Sequence, residues 1–212
     1  MSVRDFENKR WQESPQKIEF RHRACLDLVT DGTVLDIGCG DGLLLSLLRE
    51  KGIESTGVDI SIKAVEHCRA IGFTTIEHSL DNPLPFADNS FDTVVLLDVL
   101  EHVYEPLSVL LEARRIARTR VIVGVPNFSS LPARAQTLLG KVPENNRSNK
   151  GHIYWFNWFV LRSLVAHGNL RILKTRTNVL WESKPILGSL MRALAVALPN
   201  FFALSFVTQC EK

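Results

Sequence analysis

The run Val34-Leu35-Asp36-Ile37-Gly38-Cys39-Gly40-Asp41-Gly42, followed at once by LLLSLLRE, constrains this chain more than any other stretch. An apolar, β-rich segment enters a cluster of glycines and leaves it as a leucine-rich helix. Glycines there permit positive φ and let a ligand approach bare backbone. Enzymes that bind dinucleotides use a related turn, but their G-x-G-x-x-G pattern would put its third glycine at position 43, which is Leu43; here it is Gly42. Asp36 and Asp41 beside the loop would repel a pyrophosphate and suit a ligand that carries an ammonium and a sulfonium. S-adenosylmethionine (SAM) fits that description better than NAD.

The surrounding pattern alternates strand-like and helical runs, the mark of a parallel sheet covered on both faces. Strands are predicted at Thr33–Ile37, Ser55–Asp59, Thr74–His78, Phe91–Leu97 and Val121–Val125, and helices at Leu43–Lys51, Ser61–Ile71 and Pro106–Ala117. Ser61 is placed to cap its helix, Gly72 to end it, and Pro106 to occupy a first turn. An irregular stretch from Pro126 to Gly151 breaks the rhythm and reads as a lid, with a helical piece at Leu131–Leu139 and the polar loop PENNRSNKG. A helix at Trp158–His167, a strand near Leu170–Thr177, another helix and a final strand from about Phe201 complete one domain over 1–212, with 1–30 as an N-terminal helical segment. The uncharged run Ala193–Val207 falls short of the roughly 20 residues of a membrane helix and reads as core.

Asp59 ends the second strand 23 residues after Asp36, where an acid can accept from both hydroxyls of a ribose. Asp98, Glu101 and His102 follow the fourth strand, at the edge where open α/β sheets place their ligand crevice. Histidine as a residue type titrates near neutral pH, so His102 could take a proton from an oxygen or nitrogen nucleophile, with Glu101 orienting it; the plainer alternative is that both only hold the loop and the cofactor's methionine end. His152 is a second candidate base, beside Tyr154-Trp155-Phe156 and Trp158, aromatics that line an acceptor pocket or simply fill core.

These motifs, LDIGCGDG, GVDIS, LPF with ADNSFD, and DVLEHV, resemble those of the class I SAM-dependent methyltransferases. The segment VPNFSSLPARAQTLLGK followed by Gly151-His152-Ile153 resembles the MetW-type group named for methionine biosynthesis. The resemblance implies a Rossmann-like α/β fold: a seven-stranded, mostly parallel sheet with helices on both faces and an antiparallel last strand. It implies SAM over the carboxyl ends of the strands, with Asp36, Gly38, Cys39 and Gly40 toward its methionine end, Asp59 on the ribose and Ile60 on the adenine. The family's adenine-side acid falls at Leu80 here, with Asp81 next to it, and Asp98 joins the cofactor set. The MetW likeness also implies a homoserine acyltransferase as a possible protein partner, set against methylation of a small-molecule acceptor.

Bulk properties exclude other classes. A net charge of +2 and the absence of a basic run offer nucleic acid little attraction. The four cysteines lack C-x-x-C spacing, so no metal site and no disulfide framework are expected. The charged N-terminus lacks an export signal, which points to the cytoplasm.

Overall fold

A computed structural model describes residues 8, 17–30, 32–147 and 150–212; half of the N-terminal segment 1–30 expected to be helical (1–7 and 9–16) lies outside the described residues. Seven strands form one sheet: β1 Val34–Ile37, β2 Ser55–Asp59, β3 Thr74–Glu77, β4 Phe91–Leu97, β5 Ala117–Pro126, β6 Arg171–Val179 and β7 Ala203–Glu211. Their order is β3-β2-β1-β4-β5-β7-β6. The first five run parallel, and β7 enters antiparallel to both β5 and β6. The expected fold class is therefore the one adopted.

Around it lie α1 Phe20–Leu28, α2 Leu43–Glu50, α3 Ile62–Ala70, α4 Pro106–Ile116, α5 Leu131–Leu138, α6 Trp158–His167, α7 Pro185–Ala197 and the single turn α8 Pro199–Phe202. Period-2 alternation divides the central strands between two cores. Val34, Val95, Ile122 and Val207 pack with Ala24, Cys25, Leu28, Leu44 and Leu48 of α1 and α2. Leu35, Ile37, Val94, Leu96, Val121 and Val123 pack with Leu110, Ile116, Leu161 and Val165 of α4 and α6. A sheet buried on both faces explains why these strands read as nearly continuous apolar runs. The C-terminal end of α1 is tied to the sheet by Gln209, whose side-chain amide donates to the Leu28 carbonyl at 2.6 Å.

Helix boundaries follow local chemistry. The Ser61 hydroxyl accepts from the Ala64 amide at 3.3 Å, as the expected cap of α3. The final strand starts at Ala203, two residues later than predicted, because Pro199 opens the extra turn α8 and the buried Asn200 side chain accepts from the Trp158 amide at 2.7 Å. The apolar run Ala193–Val207 divides in its environment. In its strand half Ala203, Phe206 and Val207 are fully buried, whereas in its helical half Ala195 is buried and Val196 (84% exposed) and Leu198 (50%) turn outward. The expected core role thus holds for most of the strand and for only one face of the helix. Among the described residues no helix is long and apolar enough to cross a membrane.

Two glycines separate backbone strain from crowding. Gly42 (φ +82°) stands at the start of α2, and a Cβ there would come within 2.8 Å of Cys68 Sγ; Gly52 has a similar φ of +73° but open space around it. Gly52→Ala should cost about 1 kcal/mol, the left-handed penalty alone, and Gly42→Ala about 2–4 kcal/mol because crowding adds to it. Urea unfolding midpoints of the two variants check this; equal losses would refute it.

Candidate functional site

The loop after β1 is built by backbone bonds to β2. The amides of Gly38 and Cys39 both donate to the Val58 carbonyl, at 2.7 and 3.1 Å. One Asp59 oxygen then accepts from the Gly40 amide at 2.9 Å, and the other accepts from the Ser61 amide at 2.8 Å. Asp59 therefore straps the glycine loop to the end of β2. Gly38 (φ +79°) has no room for a side chain, since a Cβ would meet Val99 Cγ2 at 2.5 Å.

This loop floors a crevice of about 210 Å³ at the carboxyl ends of the strands. Asp36, Gly38, Cys39, Asp59, Ile60, Leu80, Asp81, Asp98 and His102, all singled out from the sequence, line it. Gly40 lies just behind, its carbonyl accepting from the Cys68 thiol at 3.3 Å. Glu101 and His152 stand outside the lining, next to His102.

The charge pattern is acidic at the floor. Burial, and then the neighbouring charge of Asp59, push the Asp36 carboxyl up to about 7. Cys39 is also raised, first by its hydrogen bond with Cys68, then by burial and the two acids, so it stays a thiol. Sequence reasoning missed what α1 brings to this crevice. Arg21 of α1 pairs with Asp98 at 3.0 Å, and His22 lines the wall beside it. Burial, then the charge of Arg21, depress His22 to about 4, so its imidazole is neutral near pH 7. The segment FRHRACLDL carries its charges as a solvated helix face would; no spacing in it points to Asp98. His78, Ser79 and Tyr104 complete the rim.

At the far end, Asp98 takes a left-handed φ of +54°, turning the chain from β4 into a 3-10 turn, Leu100–His102. The carbonyl of the fully buried Glu101 accepts from two amides, Ile153 at 2.9 Å and Tyr154 at 3.0 Å. That pair of bonds lays His152 against His102, their ring centroids 4.8 Å apart, with Phe128 edge-on to His152 at 5.4 Å. Glu101, His102 and His152 each offer a donor atom within 4.8 Å of the others, a set able to hold a metal ion, although the cysteine pattern pointed away from one. Tyr154, Phe156 and Trp158 among the neighbouring aromatics take the plainer role of filling core. Phe156 is buried and stacks on Tyr154 at 5.0 Å, Trp158 packs on Phe206 at 5.3 Å, and Trp155 points to solvent.

A glycine loop, a strapping acid on β2 and an acid–histidine turn after β4 form one constellation, and a family model describing methionine biosynthesis protein MetW matches residues 20–202. The chain belongs to the MetW family. Relatives include a ubiquinone biosynthesis O-methyltransferase of Histophilus somni, 28% identical over 130 residues that cover 57% of this chain and 53% of that protein. A bifunctional methionine biosynthesis protein MetXA/MetW of Rhodopirellula baltica is 30% identical over 138 residues, 60% of this chain and 22% of that protein. The chain thus spans about half, or less, of the curated relatives it matches. Among solved structures, a SAM-dependent methyltransferase of Thermotoga maritima, named as a possible histamine N-methyltransferase, superposes with a TM-score of 0.67 at 20% identity, covering 91% of this chain and 87% of that one. At that identity the match is one of fold.

The raised Asp36 gives the MetW chain a distinct pH signature. A carboxyl whose folded value of about 7 exceeds its ordinary value near 4 penalises folding as it ionises, so stability falls as pH rises through that window. Asp36→Asn should remove this contribution. Its stability relative to the parent should improve between pH 5 and pH 8 in urea titrations, and parallel pH profiles would refute the assignment.

Proposed function

We propose that this chain binds SAM in the crevice and transfers its methyl group to a small-molecule acceptor. The carrying observation is the crevice itself, floored by the Asp59-strapped glycine loop and ending at His102. The residues present suit SAM. A loop without a Cβ at Gly38 admits a close approach, and the buried Asp36 and Asp59 favour a ligand with positive charge over a pyrophosphate. Asp36, Gly38, Cys39 and Gly40 would hold the methionine end, Asp59 the ribose, and Ile60, Leu80 and Asp81 the adenine side, with Asp98 completing the set beside Arg21.

Bound SAM supplies a methyl group already activated on a sulfonium, so the protein's task is chiefly orientation, an effect on the order of 7–11 kcal/mol in favourable intramolecular reactions. His102 lines the crevice and has the reach to accept the proton of an attacking oxygen or nitrogen. Glu101 and His152 fix its ring from behind. Phe128 and the Asn145 and Gly151 carbonyls contact the His102–His152 pair, which supports reading the segment after Pro126 as a lid that favours a compact acceptor over a macromolecule.

Two measurements test this. Calorimetry with S-adenosylhomocysteine should give a micromolar or tighter Kd, on the order of −8 kcal/mol; Asp59→Ala should weaken it at least tenfold, and unchanged affinity would sink the ribose assignment. Labelled SAM incubated with a metabolite extract should yield a labelled small molecule that disappears in Asp59→Ala. For the lid, trypsin cleavage at Arg134, Lys141, Arg147 or Lys150 should slow with S-adenosylhomocysteine bound, and equal rates would remove the lid.

A second reading is a SAM-binding partner of a homoserine acyltransferase. It is favoured by the Rhodopirellula baltica protein, whose name joins MetXA and MetW, and by the outward apolar face of α7. Co-purification with an acyltransferase, without methyl transfer to any acceptor, would select it.

A further inference from the structure

We propose that Glu101, His102 and His152 form a binding site for one first-row divalent cation at the acceptor end of the crevice. One carboxylate and two imidazoles make a ligand set that suits zinc, iron or manganese, and three protein ligands leave positions open for an exchangeable molecule. Their donor atoms lie within 4.8 Å of one another. Around an ion with bonds of about 2.0–2.2 Å, tetrahedral ligands stand roughly 3.4 Å apart, so small side-chain rotations close the set.

The histidine environments carry the inference further. Nδ1 of His102 lies 3.1 Å from the Gly151 carbonyl oxygen, and Nδ1 of His152 lies 2.7 Å from that of Asn145. A carbonyl only accepts, so each Nδ1 carries a proton, and in the neutral ring Nε2 then carries the lone pair. Metal-ligating histidines are oriented in this way, their second nitrogen donating to a backbone carbonyl. Glu101 is fully buried, and the double acceptance at its carbonyl fixes the backbone that bears His152. Two ligands come from the turn after β4, and the third is brought to them by the bonds of Ile153 and Tyr154 to the Glu101 carbonyl.

The consequence for chemistry rests on the methyl-transfer reading of the crevice. A cation here would lower the pKa of a hydroxyl bound to it, so the acceptor class is a small molecule with an ionisable oxygen. With the ion bound the hydroxyl proton would pass to water and His102 would act as ligand; the base role given to it above belongs to the metal-free chain. The oxygen–carbon bond then forms as the carbon–sulfur bond breaks, with the electron pair left on sulfur.

The test titrates tag-free, chelator-treated protein with Zn2+ by calorimetry, alongside a separate S-adenosylhomocysteine titration. One equivalent of Zn2+ should bind the parent chain, and His152→Ala should weaken it at least tenfold while holding S-adenosylhomocysteine affinity within twofold, which certifies its fold. Glu101→Gln should do the same; because that side chain is buried and the variant can fail to fold, His102→Ala serves as the second ligand variant. Absence of stoichiometric Zn2+ uptake, or full uptake by His152→Ala, overturns the proposal. Co2+ should give ligand-field bands without thiolate charge transfer, whereas a thiolate band would move the ion to the cysteines and overturn it too. Failure of metal binding with S-adenosylhomocysteine still bound sinks this inference alone; loss of S-adenosylhomocysteine binding sinks the cofactor reading instead.

Discussion

The Asp59 carboxylate, accepting from the amides of Gly40 and Ser61, is the join on which the rest of the site depends. It connects the loop leaving β1 to the helix that starts after β2, so two parallel strands present their ends as one surface. The sheet brings those ends together through the β1–β2 register, with Asp36 opposite Gly57. Gly57 in turn leaves the space that Cys39 fills: a Cβ at position 57 would approach Cys39 Sγ at 2.6 Å. Strand register, loop conformation and helix start are thus one packing problem, solved around a single buried acid.

That acid is not alone, and its company has an energetic cost. Asp36 lies close enough for the two charges to oppose each other, and burial holds Asp36 partly protonated near neutrality. A fold under selection for stability alone would not keep two carboxylates there. Their persistence is intelligible if the crevice regularly receives positive charge, because a cationic ligand converts mutual repulsion into attraction.

Much of this was legible in the amino-acid order because it rests on short-range signals. The strand–glycine–helix passage, the Ser61 cap and the acid closing β2 are local patterns with a local physical cause, and the seven-stranded sheet with its antiparallel last strand followed from the family resemblance they support. Less visible were features that depend on contacts across long stretches of chain. The pairing of Arg21 with Asp98 joins the first helix to the fourth strand, and nothing in FRHRACLDL marks one arginine for it. The outward face of α7 was misread because hydrophobicity reports composition and not direction. The aromatics after His152 were left open between pocket and core by sequence, and packing against Tyr154 and Phe206 decided for core.

The two bonds that Ile153 and Tyr154 make to the Glu101 carbonyl have an evolutionary consequence. They fix the chain where it re-enters the sheet edge, and the buried Asn127 side chain, donating to the Ala203 carbonyl at 2.7 Å, fixes it where it departs. Between those two anchors, residues other than those whose carbonyls bond the two histidines can change in number or kind at small cost, because loop closure cost grows only slowly with length. The surface beside the histidine pair can therefore be altered by editing one tethered segment while the strap and the sheet stay as they are.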